Sequence, residues 1–185
     1  MSIENFWMFA LTGLLLNLTP GNDMLYIIAR SSGQGTRAGV VSALGIGAGC
    51  LVHIVAAVIG LSALLAQSAA AFAVIKYAGA AYLIYLGVKS LRRKKSALTI
   101  REAGDRLSYE KIFWQGVLTN VLNPKVALFF LAFLPQFISA ESNVALQILF
   151  LGCWFNLVGT IVNIVVALLF GKIGTWLAAS PGFVA

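Results

Sequence analysis

The chain has 185 residues, of which 60% are hydrophobic and only 10% are charged, with a mean hydropathy of +0.92. Soluble domains carry about 25% charged residues, so this composition excludes an ordinary water-facing surface and indicates that the lipid bilayer is the solvent. The net charge of +7 does not indicate nucleic-acid binding, because seven of the thirteen basic residues lie between Arg92 and Lys111, as expected of a cytoplasmic loop.

Apolar segments of helix length follow one another along the chain. A spanning helix needs about 20 apolar residues. We predict five such helices and a partial sixth, at roughly residues 5–29, 39–65, 71–90, 112–135, 144–170 and from about 173. Gly171-Lys172 is expected to separate the last two. The thirteen residues that follow would span about 20 Å, less than a hydrocarbon core of about 30 Å, so we expect the sixth helix to be incomplete.

The distribution of basic residues predicts the orientation. Arg30 and Arg37, the 91–111 loop and Lys172 all fall on one side of the membrane if six helices alternate. Lys and Arg accumulate in cytoplasmic loops. We therefore expect a multi-pass membrane protein with its N-terminus outside and the 91–111 loop in the cytoplasm.

A weak internal repeat relates the two halves of the chain. Gly49-Cys50-Leu51-Val52-His53 matches Gly152-Cys153-Trp154-Phe155-Asn156 at an offset of 103 residues, and the same offset pairs Asn17 with Asn120. Each half holds three predicted helices, so the second copy enters the membrane upside down. This pattern predicts an all-α membrane protein with an inverted 3+3 repeat, in which repeat one covers residues 1–90, the basic linker 91–111 and repeat two 112–185.

The first predicted helix is interrupted by proline. The break reads Asn17-Leu18-Thr19-Pro20-Gly21-Asn22-Asp23. Pro20 removes a backbone donor and Gly21 makes a bend possible. Broken backbone at membrane depth survives only where it faces protein or a water-filled cavity. A half-helix that begins near Asn22 would attract an anionic group, and Asp23 would bind an ammonium group or a proton. The alternative is a kink that Asn22 and Asp23 cap for packing.

The fourth predicted helix has an equivalent break, Asn120-Val121-Leu122-Asn123-Pro124-Lys125. Lys125 lies near the middle of its helix, far from either interface, so it needs a buried partner. The repeat symmetry brings the two breaks together, and we expect Lys125 to pair with Asp23. If this charge pair separates when substrate or a proton binds, it would couple substrate transport to proton transport.

Two further polar positions occupy equivalent places in helices two and five. His53, the only histidine, is either a proton relay or a neutral side chain hydrogen-bonded in the bundle. Asn156 shares one helix face with Thr160 and Asn163, which either line a path or bond neighbouring helices. The glycines of helix two indicate close helix packing.

Other classes of chemistry have no sequence support. The chain has no Walker loop, no Ser/His/Asp or HExxH arrangement, and only Cys50 and Cys153 as thiols. We expect neither an enzyme nor a cofactor or metal site. The candidate substrate-binding residues belong to the two breaks and helix five: Asn17, Pro20, Gly21, Asn22, Asp23, Asn120, Asn123, Pro124, Lys125 and Asn156. The candidate proton-coupling residues are Asp23, His53 and Lys125.

Three segments together resemble the LysE/RhtB family of bacterial amino-acid exporters. They are Leu18-Thr19-Pro20-Gly21, the run from Gly79 to Gly87, and Asn123-Pro124-Lys125 with the aromatic run through Phe137. The resemblance covers most of the chain. It implies six helices and export of amino acids or related small metabolites across the inner membrane, in exchange for protons.

One departure from the family pattern concerns the first break. The family often carries Pro-Gly-Pro, whereas this chain has Pro20-Gly21-Asn22-Asp23. The extra acid marks either a distinct substrate or a different proton site. We keep three hypotheses: a proton-coupled exporter of a zwitterion, which is preferred; a cation or heavy-metal exporter; and a membrane scaffold that transports nothing. The glycine faces permit a homodimer without requiring one.

Overall fold

The computed structural model describes residues 6–67, 106–139 and 142–179, with isolated positions between 70 and 88. Every regular element within these ranges is helical, which confirms the all-α class. Most of the predicted third helix, most of the 91–111 linker and residues 180–185 lie outside the described residues, so the six-helix count and the inverted repeat stay predictions.

The first predicted helix consists of two half-helices, as expected. Helix α1 covers Phe6–Leu18 and helix α2 covers Asn22–Gln34. Pro20 stands between them and has no N–H with which to continue the α-helical hydrogen bonding. Gly35 ends α2 with a φ of 89°, a backbone conformation that glycine adopts without strain.

Helix α3 follows at once and covers Thr36–Gln67, a length of 32 residues. Its segment Thr36–Leu61 is long and apolar enough to cross a membrane, in agreement with the second predicted span. Large apolar side chains such as Leu51, Val55 and Ile59 are exposed on its outer face. In a bilayer these side chains would contact lipid.

The second break also lies where the sequence predicts it. Helix α4 covers Tyr109–Val121 and helix α5 covers Pro124–Leu128, followed by a π-helical turn at Phe129–Phe133 and a 3₁₀ turn at Leu134–Phe137. The axis bends by 45° at the break. Asn123 caps α5, because its Oδ1 accepts a hydrogen bond of 3.0 Å from the Lys125 N–H.

Helix α6 corrects one predicted boundary. It covers Val144–Ala179 without interruption, so Gly171-Lys172 does not separate two helices as expected. Gly171 instead lets α6 approach the start of α3, because a Cβ at this position would collide with Thr36. The described residues contain two helices long and apolar enough to span a membrane, or three if the bent pair α4–α5 forms one span.

Small residues hold α3 against α4. A Cβ on Gly45 would collide with the carbonyl of Phe113, and a Cβ on Gly49 would lie 2.6 Å from the Val117 oxygen. Gly116 of α4 faces the same crossing, where its Cβ would lie 2.9 Å from the Ser42 oxygen. The glycines of α3 therefore permit close helix packing, as the sequence indicates.

An aromatic cluster fills the space between α1, α3, α5 and α6. The rings of Phe129 and Phe155 stack with centroids 4.0 Å apart, and Phe130 packs edge-on against Phe155 at 5.9 Å. Phe9 of α1 joins the cluster through Phe129. This packing fixes α5 next to α1, so the two helix breaks become neighbours.

Candidate functional site

The side chain of Lys125 connects the second break to the first. Its Nζ donates hydrogen bonds to the carbonyl oxygens of Leu16, at 3.1 Å, and Thr19, at 3.0 Å. Pro20 has no N–H, so the Leu16 carbonyl lacks its usual α-helical donor. The ammonium group also lies at the C-terminal, partly negative end of α1. Lys125 therefore acts as a C-terminal cap for a helix in the other half of the chain.

The lysine side chain passes directly over Gly21. A Cβ on Gly21 would lie 3.4 Å from Lys125 Nζ and 3.6 Å from its Cε. Gly21 is also the N-cap of α2 and offers no side-chain acceptor to the first N–H groups of that helix. The first break thus combines the exposed positive end of α2 with a lysine ammonium group.

The carboxyl group of Asp23 contacts the second break through an amide. Asn120 Nδ2 donates to Asp23 Oδ2 at 2.9 Å, and Asn123 also interacts with this carboxyl group. Asp23 Oδ1, Asn120 Oδ1 and Asn123 Nδ2 are buried without a hydrogen-bond partner. One oxygen of the carboxyl group and two amide atoms next to it therefore have unused hydrogen-bonding capacity.

The expected ion pair between Asp23 and Lys125 is not formed in this conformation. Within the described ranges, Asp23 bonds to Asn120 while Lys125 bonds to the carbonyls of α1. The two charges still lie close enough to interact electrostatically. Each break therefore supplies one charge, and each charge is held by groups of the opposite break.

His53 binds the second break in the same way that Lys125 binds the first. Its Nε2 lies 3.0 Å from the Asn120 carbonyl oxygen, which lacks its α-helical donor because Pro124 has no N–H. A carbonyl oxygen only accepts, so Nε2 carries the hydrogen. The imidazole ring stacks on Phe130, with 10° between the planes. The structure therefore places His53 in a bundle hydrogen bond.

A small cavity of about 30 Å³ lies between the breaks and helices α3 and α6. Five predicted site residues line it: Asn17, Asp23, Asn120, Lys125 and Asn156. The other five, namely Pro20, Gly21, Asn22, Asn123 and Pro124, shape the breaks without lining this cavity. The side chains of Pro20, Asn22 and Pro124 are exposed, and the role of Asn22 in substrate binding stays a prediction.

Asparagines of α1 and α6 fix the far wall of the cavity. Asn17 Nδ2 donates to the Phe155 carbonyl at 3.4 Å, and Asn156 Nδ2 donates to the Gly47 carbonyl at 3.2 Å. Gly159 makes room for Asn17, because a Cβ there would lie 2.8 Å from Asn17 Oδ1. Thr160 and Asn163 also line the cavity.

Several cavity residues escape the sequence analysis. Thr19, Gly47, Cys50 and Gly159 line the cavity, but a glycine carries no polar group and Cys50 lies in an apolar run. The internal repeat contains the signal for Cys50, because Cys50 is one of its matching positions.

A second polar network joins α2 to α4, on the side that the basic residues predict to be cytoplasmic. Arg30 Nη2 donates to Gln115 Oε1 at 3.0 Å, and the Tyr26 hydroxyl donates to the Ile112 carbonyl at 2.8 Å. Gln34 Nε2 donates to the Leu107 carbonyl at 3.1 Å. We call these contacts of Tyr26, Arg30 and Gln34 with α4 and its N-terminal flank the α2–α4 latch.

The chain matches the family model of the LysE type translocator over residues 14–183. It belongs to the LysE type translocator family. A homoserine/homoserine lactone efflux protein of Salmonella typhimurium is 33% identical over 177 residues, which cover 96% of this chain and 85% of the relative. An uncharacterized membrane protein of Vibrio cholerae is 36% identical over 182 residues, which cover 98% and 84%. No solved structure matches the chain.

Membership of the LysE type family makes this protein a transporter and not an enzyme. Its apolar helices and its membrane-protein relatives show a multi-pass membrane protein. Among the residues with described placement, no group of three His, Cys, Asp or Glu side chains could hold a metal ion. The polar cavity at the two breaks is the site around which the transport function can be argued.

Proposed function

We propose that this LysE type protein exports an amino acid or a related small zwitterion across the bacterial inner membrane by proton antiport. Relatives that are named homoserine/homoserine lactone efflux proteins support this substrate class. The observation that carries the proposal is the pair of opposite charges, Asp23 and Lys125, which line one small cavity without bonding to each other. A zwitterion carries one group for each of these charges.

Proton coupling would follow from competition at Asp23. The carboxylate binds either a substrate ammonium group or a proton, so one must leave before the other binds. Lys125 from α5 and His53 from α3 are the charged and titratable groups that face it, and Cys50 lines the same cavity. Asp23 is thus the proposed coupling residue, with Lys125 and His53 as secondary candidates.

Alternating access would need the helices around the cavity to separate. The cavity of about 30 Å³ has room for water-sized groups, so binding of a substrate would require the cavity to widen. On the proposed cytoplasmic side, the α2–α4 latch joins the two halves of the chain. Repeats that rock about the two breaks would open the cavity to one side at a time.

Counterflow in proteoliposomes with a pool of labelled amino acids and homoserine tests this function. Wild-type protein should accumulate at least one label, and Asp23→Asn should lose this uptake at an unchanged yield of folded protein. Glu110→Gln is the matched control, because Glu110 is an exposed acid in the first turn of α4. The proposal is wrong if folded wild-type protein accumulates none of the labels.

Two alternatives predict other results in proteoliposomes. A cation exporter would accumulate a metal ion in place of any amino acid, although no metal-binding cluster exists in the described ranges. A scaffold would show no flux, and Asp23→Asn would then lower only the yield of folded protein. Family membership supports transport over the scaffold.

A further inference from the structure

We propose that Asp23 Oδ1 and Asn120 Oδ1 form a subsite that selects a primary ammonium group, so that the amine of the substrate is required and its carboxylate is replaceable. The inference rests on the proposed export of small zwitterions and specifies how the same cavity would hold them. It is carried by unpaired polar atoms, which nothing in the family match assigns.

Two acceptor atoms at the site make no hydrogen bond, although the Asn123 amide interacts with the same carboxyl group. Asp23 Oδ1 and Asn120 Oδ1 are both buried without a hydrogen-bond partner, and both residues line the cavity. Asn120 is only 2% exposed. Its amide orientation is set by the 2.9 Å bond from its Nδ2 to Asp23 Oδ2. This bond brings the Asn120 amide against the Asp23 carboxyl group, so both unpaired oxygens belong to the same small cavity.

Buried polar groups normally have partners, so unpaired ones call for an explanation. A primary ammonium group has three N–H donors and no acceptor. It can satisfy both oxygens at once, and its positive charge offsets that of the carboxylate. A hydroxyl group brings a single donor and a carboxylate brings none, so neither replaces the ammonium group here.

The site offers fewer hydrogen bonds to the carboxylate of a zwitterion than to its ammonium group. Lys125 Nζ uses two of its three donors on the Leu16 and Thr19 carbonyls. One donor remains for a ligand in the cavity. The carbonyl oxygen of an ester accepts this N–H in the same geometry as a carboxylate oxygen and loses only the charge assistance, so the carboxylate would be replaceable at a lower affinity.

The chemical class of ligand is therefore a small primary amine with a neighbouring carbonyl oxygen. Amino acids and their esters both belong to this class. N-acylated amino acids do not, because acylation removes the positive charge and leaves one N–H donor at most. This distinction separates the ammonium subsite from a site that recognises the carboxylate.

The test is competition in the counterflow assay with the pool of labelled amino acids and homoserine. Unlabelled methyl esters of the same compounds should suppress uptake, whereas their N-acetyl derivatives at equal concentration should not. In Asn120→Leu, suppression by the esters should need at least about tenfold more competitor, since one hydrogen bond to a charged group is lost. Gln136→Leu, which removes an exposed amide elsewhere, should leave the competition unchanged.

The outcomes separate the two proposals. Suppression by N-acetyl derivatives that equals suppression by esters overturns the ammonium subsite while transport stands. No uptake of any label overturns the proposed export and the subsite with it. If Asn120→Leu does not fold, the two competitor pools on wild-type protein decide the question alone.

Discussion

Each of the prolines Pro20 and Pro124 removes the α-helical N–H donor of one carbonyl oxygen. That oxygen keeps a backbone hydrogen bond from the residue three positions on and also binds a nitrogen-bearing side chain from another element. Lys125 binds the Leu16 oxygen that Pro20 leaves, and His53 binds the Asn120 oxygen that Pro124 leaves. Both bonds join the two halves of the chain. They fix the ends of the half-helices at the cavity, where a loose backbone would be costly in lipid.

Lys125→Met tests this role at the residue scale. The substitution keeps most of the side-chain volume and removes both hydrogen bonds to α1. We expect stability to fall by about 1–3 kcal/mol, because the half-buried Leu16 and Thr19 carbonyls each lose a hydrogen bond from a charged donor, and counterflow to be lost. Thermal unfolding of the detergent-purified protein together with counterflow measures both effects.

Lys111→Met is the control for Lys125→Met, because Lys111 is an exposed lysine in the first turn of α4. Its loss should leave stability and flux near wild-type values. Unchanged stability of Lys125→Met would contradict the capping role of this side chain.

At the scale of the elements, glycine contacts set the distance between α3 and α4. A methyl group at Gly49 would lie 2.6 Å from the Val117 oxygen and 2.9 Å from Asn120 Cβ, so it would press on the residue that bonds Asp23. Gly60 lies on the same helix and has nothing within 4 Å of such a methyl group.

Gly49→Ala and Gly60→Ala form a matched pair of variants. Gly49→Ala should destabilise the protein by about 1–3 kcal/mol through overpacking and reduce transport by displacing Asn120. Gly60→Ala should be neutral or stabilise by up to about 1 kcal/mol, because alanine favours the helix. Thermal unfolding midpoints decide between these results, and equal midpoints would show that the α3–α4 contact is not close.

The α2–α4 latch should control access to the cavity from the proposed cytoplasmic side. Gln115→Leu removes the acceptor of the bond from Arg30. In a Cys153→Ser background, maleimide should then label the cavity residue Cys50 several-fold faster from the latch side. Gln136→Leu serves as the control. If the labelling rate of Cys50 does not change, the latch does not close this side.

At the scale of the whole molecule, the sequence predicts the breaks because proline chemistry acts locally. Pro20 and Pro124 each remove an N–H from the helix that precedes them, and the internal repeat indicates that the two breaks meet. The bonding partners of Lys125 and Asp23 depend on packing, since Gly21 lets the lysine reach the α1 carbonyls. Gly171 misled the prediction because a glycine that permits close helix approach looks the same in sequence as one that ends a helix.

At this scale, one cavity would serve both substrate and proton. Helices α1, α2, α4 and α5 meet at the cavity, with further walls supplied by α3 and α6. Asp23 is an acid shared between the two halves through its bond to Asn120. Binding at Asp23 would therefore change the contact between the halves, which is the movement that alternating access requires.

The most direct test of this account is proton flux that accompanies substrate flux. Proteoliposomes that contain a pH-sensitive dye receive an inward gradient of the amino acid identified by counterflow. Wild-type protein and Glu110→Gln should make the interior alkaline as substrate enters, because protons leave in exchange, and Asp23→Asn should show neither flux. Substrate entry with no change of internal pH in wild-type protein would contradict the account.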